Sequence, residues 1–145
     1  GINAEYGITI QIIGIGRKKN FNEWAESKIK QLLTFEKTEN EAKITISVDS
    51  VKGEAFKYIR KNKMHISFDY KIKLNFTLVG AQKSEGLIEI EPFVDEQFEE
   101  WSFETKIKNI KELSAEGIEF TNQIIQKKLF KEVFEQFIQE FEKQE

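Results

Sequence analysis

The chain has no cysteine and only one histidine, one proline and one methionine in 145 residues, and each scarcity removes a class of chemistry. Without cysteine there are no disulfides, no thiolate metal sites and no Cys-His catalysis. A Ser-His-Asp arrangement has only His65 to draw on, and that residue falls on the polar side of an alternating run. No apolar stretch approaches the ~20 residues a membrane helix needs, and no signal-like segment is present, so a cytoplasmic location is expected. Twenty-two basic against 25 acidic residues give a net charge of -3, a balance that argues against a general nucleic-acid binder.

The charge that is present is unevenly placed. From Lys57 to Lys73 there are six basic residues against Asp69 alone, whereas Glu85 to Glu104 holds eight acids and no Lys or Arg. Such a split steers and orients a protein partner more than it binds one tightly. Within the basic stretch, Met64, Ile66, Phe68, Tyr70, Ile72, Leu74, Phe76 and Leu78 occupy every second position. Strand side chains alternate between faces, so this run predicts one strand, Met64 to Val79, ~50 Å long, with a single buried face. The turn Arg60-Lys61-Asn62-Lys63 precedes it, and Asn62 is suited to the left-handed backbone that tight turns require. Three cations in four residues repel one another, a cost that chain reversal alone does not require.

The remaining segments predict an elongated α+β domain spanning residues 1–145. Tyr6 to Ile15 reads as extended. Asn20 as N-cap, with Glu23 three residues on, opens an amphipathic helix from Phe21 to Phe35. Glu36 to Glu41 reads as a loop, followed by a strand through Ile44, Ile46 and Val48, a turn at Lys52-Gly53 and a short strand from Glu54 to Ile59. After a turn at Gly80 to Gly86, a fourth strand of an antiparallel meander, Leu87 to Glu91, stops at Pro92. Trp101 to Ile107 reads as an edge strand. One long helix, Glu116 to Lys143, ~40 Å, carries an apolar stripe from Ile124 to Phe141 and is expected to pack along the sheet. Trp24 and the phenylalanines of that helix fall on buried faces.

Other signals are weak. Glu89 and Glu91 could be drawn as acid and base, yet they share one strand face in an acid-rich region and read as a solvated surface. Gly14-Ile15-Gly16 has the opening of a dinucleotide fingerprint, but Lys19 stands at the third glycine and no phosphate-loop spacing exists. No cofactor or metal site is expected.

Several motifs, in order, resemble the N-terminal domain of the activator of heat-shock protein 90 (Hsp90) ATPase, a co-chaperone family. They are Asn20 with Trp24-Ala25, Ser50-Val51-Lys52-Gly53-Glu54, the turn Arg60-Lys61-Asn62-Lys63, the run from Phe68 to Asn75, and Gly86 to Glu91. The resemblance implies a non-enzymatic domain that docks on the chaperone's middle segment and favours the arrangement in which a chaperone arginine reaches ATP. Arg60, Lys61 and Lys63 would be the activating contacts, and Glu54 and Asp69 would meet basic residues. His65 and Ser67 stand where the family places outward apolar contacts, which implies weaker, more salt-sensitive docking. Ile12 to Gly16 replaces the family's N-x-N-N-W-H-W stretch. No nucleic-acid or membrane partner is implied, and the free domain is expected to be monomeric. Two competing readings are a binder of nucleic acid or another acidic surface through the basic turn, and a carboxylate enzyme with a concave acidic pocket.

Overall fold

The computed structural model describes residues 17–96 and 98–145; the expected extended segment Tyr6 to Ile15 lies outside them. The elements in order are β1 (Lys19–Asn20), α1 (Asn22–Leu32), β2 (Phe35–Glu39), β3 (Ala42–Arg60), β4 (Lys63–Val79), β5 (Lys83–Val94), β6 (Phe103–Ile107), α2 (Ala115–Ile124) and α3 (Lys131–Glu142). One antiparallel sheet runs β1-β3-β4-β5-β6, and β2 pairs with another stretch of β3. The α+β class, the N-terminal helix, the very long strand and the helical C-terminal segment on the sheet are all present.

The largest difference from the expected meander is that 42–60 is one strand. Buried positions run Ala42, Ile44, Ile46 and then Ala55, Lys57, changing from even to odd. The change occurs where the β3/β4 register shifts between Val48 and Ser50, a β-bulge that inserts one residue and restores the apolar side to the core. Lys52-Gly53 therefore continues the strand instead of turning. Gly53 lies opposite Tyr70, and a Cβ there would collide with the Asp69 carbonyl oxygen and the Tyr70 ring.

Three further segments depart from expectation. Residues 36–41 are largely strand: β2 pairs residue by residue with β3, from Phe35 opposite Ile46 to Glu39 opposite Ala42. Its exposed, charged sequence carries no apolar alternation, which suits an edge but hides it from periodicity. β5 begins at Lys83 and runs through Pro92 to Val94, because the β4/β5 register shifts between Tyr70 and Ile72 and the proline falls in that irregularity. The C-terminal helix is divided. Ile124 and Ile125 are both buried, yet adjacent helical positions point about 100° apart; Ile125 leaves the helical path at ψ 88°. A 3-10 turn, Lys127–Phe130, then returns Phe130 to the core ahead of α3.

At the helix starts, Asn20, the expected cap, lies in β1 one residue before the observed N-cap Phe21, and its Oδ1 accepts from Asn22 N at 2.8 Å. α1 ends at Leu32, short of Phe35. Ser114 caps α2 by accepting from Gly117 N at 3.0 Å.

The core lies between the sheet and the helices. Ala25 and Ile29 of α1 and Phe134, Phe137 and Phe141 of α3 are buried with Phe68, Tyr70, Ile72, Leu74, Ile88 and Ile90 of the sheet. Aromatic rings dominate it: Trp101 meets Phe134 edge-on at 4.6 Å and Phe137 meets Phe68 at 5.0 Å. Trp24 packs at 5.1 Å from Phe141, as its place on the helix predicts.

Candidate functional site

At ~3.3 Å per residue, β3 and β4 form a ribbon ~55–60 Å long. Lys61 (φ 53°) and Asn62 (φ 63°) close it, both left-handed, the arrangement of a two-residue type I′ turn whose twist matches the flanking strands. The expectation for Asn62 thus extends to Lys61.

Counting outward from the turn pairs Arg60 with Lys63, Tyr58 with His65, Phe56 with Ser67, and Glu54 with Asp69. Strand alternation puts all of these on one face, opposite the helices. The expected site residues Arg60, Lys63, His65, Ser67, Glu54 and Asp69 therefore share one surface, with Lys61 at its tip. Arg60, Lys61, Lys63, Glu54 and Asp69 are exposed, whereas His65 and Ser67 are half-buried. Two of the pairs set like charges opposite each other, which weakens a sheet locally. None of these charged residues forms a salt bridge among the described residues.

Sequence periodicity did not single out the aromatics between the charges. Tyr58 stacks on His65 with ring centroids 5.2 Å apart and planes 15° from parallel. Phe56 lies 6.0 Å from Tyr58, and the Lys18 ammonium sits 4.5 Å above the Phe56 ring. On this face the aromatic side chains stand on β3, Phe56 opposite Ser67 and Tyr58 opposite His65 of β4. Register counting from the turn could have found this; reading 54–59 as an isolated short strand did not.

On the other face, burial ends before the tip. Ala55 and Phe68 are buried, but the next-but-one pair outward, Ile59 with Met64, is 47% and 58% exposed. The expected buried face of β4 therefore begins with Ile66, half-buried against the core, and not with Met64. Lys57 marks the boundary. It is buried, its Nζ donates to the carbonyls of Glu142 (3.2 Å) and Gln144, and it lies 5.4 Å from the Phe21 ring centre and 5.8 Å from that of Phe141. A cation at the carbonyl end of α3 complements the helix dipole. Burial pulls its pKa down, partly opposed by Glu142. Lys57 thus anchors the ribbon and does not belong to the exposed basic surface.

Glu91 pairs with Lys71 at 3.5 Å and Glu89 with Lys106 at 3.8 Å, so both are engaged as surface ion pairs. Among the described residues no three His, Asp or Glu side chains gather as a metal site would require. No helix there is long and apolar enough to cross a membrane.

A family description, activator of Hsp90 ATPase, N-terminal, matches residues 18–145, from the strand beside the aromatic face to the end of the chain. The chain belongs to this family. Among solved structures, Aha-1 from Plasmodium falciparum is similar over 86% of this chain and 84% of that one, with 28% identity and a TM-score of 0.61. No curated protein matches the chain. The family is one of ATPase activators, regulators of another protein's catalysis, and its match covers every element that builds the ribbon and its support.

Proposed function

We propose that this domain is a co-chaperone that docks on the middle segment of Hsp90 and stimulates its ATPase by positioning the chaperone's catalytic loop. The observation that carries the reading is the projecting, type I′ closed tip bearing Arg60, Lys61 and Lys63, without internal salt bridges. Self-repulsion there is relieved by acidic groups on a partner, and membership of the activator family supplies the partner's identity. Glu54 and Asp69, further down the same face, would meet basic residues. In this reading the chain acts as one cytoplasmic, monomeric, non-enzymatic domain. Stimulation is a population shift, and its size is limited by how much better the domain binds the ATP-competent chaperone than the resting one.

The test is ATP hydrolysis by the cognate Hsp90 with the wild-type domain and with Arg60, Lys61 and Lys63 all changed to Ala, each checked for folding and binding. Stimulation by the wild type and its loss in the folded variant is the expected result, with binding that weakens as salt rises. Binding without any stimulation by the wild type would remove the activating role.

A further inference from the structure

Charge alone does not account for the face. Between the basic pair at the tip and the acidic pair further down lie Phe56 and Tyr58, half-buried on the side of the sheet away from α1 and α3. From Glu54 to Arg60 the strand advances ~20 Å, so the face reads cationic, aromatic, anionic in that distance. β1 borders the aromatic zone, and Lys18 covers one side of Phe56. Tyr58 stacks on His65, lies 6.0 Å from Phe56 and is half-buried.

We infer that Phe56 and Tyr58 are the apolar anchor of the docking face. They fit a folded protein surface that presents an apolar side chain between an acidic patch and a basic patch ~20 Å apart. This rests on the proposed function and adds to it the residues that seat the partner and the direction in which it lies. The order of charges admits one orientation, since a reversed partner sets like charges together at both ends. A nucleic-acid strand fits less well, because Glu54 and Asp69 would repel phosphates two residues from Phe56. Aromatic side chains at the centre of an interface, flanked by charged groups, are where binding energy concentrates.

The test compares wild type with Phe56→Thr/Tyr58→Thr, which puts strand-favouring β-branched residues in place of the rings, and with the cross-strand exchange Phe56→Ser/Ser67→Phe. Binding to the cognate Hsp90 and thermal unfolding are measured for each. The expected result is an affinity loss of about tenfold or more for the double Thr variant while it remains folded, and near wild-type affinity for the exchange, which restores a ring to the same surface. Unchanged affinity in the double Thr variant overturns the anchor while leaving the proposed function intact. So does an affinity loss accounted for by the fraction unfolded. Absence of wild-type binding overturns both, and binding of a single-stranded oligonucleotide that depends on Phe56 and Tyr58 replaces the protein partner with a nucleic acid.

Discussion

Near Ile72 and Leu74 the β3/β4 ribbon is sealed under the helices, whereas at Ile59 and Met64 the same two strands meet solvent on both faces. Both ends belong to the same antiparallel β3/β4 pairing, interrupted at the bulge between Val48 and Ser50, and they differ in what covers them. At the covered end, apolar burial contributes roughly 25 cal/mol per Å². At the bare end the ladder and a few ring contacts must hold a cluster of like charges. Stability is therefore unevenly distributed along one pair of strands, and the proposed partner contact falls at its bare end. Lys57 joins the two zones, since it belongs to the ribbon and holds the carbonyl of Glu142 at the end of α3 and that of Gln144 just past it.

The contrast is broken most strongly by truncating the core beneath the ribbon. Phe137 is fully buried and meets Phe68, Phe93, Trp24 and Phe141 at ring distances of 5.0 to 5.8 Å. Phe137→Ala should cost about 3–5 kcal/mol, a large share of the about 5–15 kcal/mol that holds a domain of ordinary stability folded. Met64→Ala at the tip should stay within about 0.5 kcal/mol. Urea denaturation of the two variants measures both, and equal losses would mean that the tip is packed like the body.

Gly53→Ala should come next. The added Cβ meets the Asp69 carbonyl and the Tyr70 ring, so the strands must part, at a cost of about 1–3 kcal/mol. The loss is read as a lower midpoint in the same urea titration. The site explains why the sequence was misread there. Glycine beside lysine looks like a turn, but here it gives Tyr70 room to lie across β3. Legibility followed periodicity. β4 was legible because its apolar positions keep one parity throughout. β3 was not, because the bulge near Asp49 switches parity midway, and β2 was not, because its edge pairing leaves no apolar trace. The basic tip, Glu54 and Asp69 were readable as residue types in order. Phe56 and Tyr58 became meaningful only once the register paired them with Ser67 and His65.

Tyr70 offers a subtler test at the boundary of the core. Among the described residues its buried hydroxyl has no hydrogen-bond partner, and burial pushes the phenol pKa up from 10.0. Removing the orphaned hydroxyl with Tyr70→Phe should stabilise the domain by about 1 kcal/mol at neutral pH. In the wild type the unfolded chain loses this proton above pH 10 while the folded chain retains it, so the unfolded state binds fewer protons and stability falls with rising pH. Lys57 acts in the opposite sense. Its folded pKa is below 10.5, so the unfolded state binds more protons in the window below 10.5, and stability rises with pH there. Thermal scans from pH 8 to 11 should show Tyr70→Phe losing the alkaline decline and Lys57→Met losing the preceding rise. Unaltered profiles would mean that neither group titrates differently on folding.

The smallest effect is expected at Lys61, where the two ends of the comparison oppose each other. A non-glycine residue in the left-handed region costs roughly 1–2 kcal/mol, and asparagine tolerates it better than lysine. Lys61→Asn should therefore raise stability by about 0.5 kcal/mol while removing one cation from the tip. If the tip's role is to present charge, this more stable domain should stimulate Hsp90 less than wild type, and Lys61→Arg should retain stimulation with no gain in stability. Should the asparagine variant stimulate fully, the basic character of position 61 would have no part in activation, and Arg60 and Lys63 would carry it. A lysine that strains its own turn and carries the proposed contact would be a case of local destabilisation at a functional site, and this substitution measures both halves of that trade in one protein.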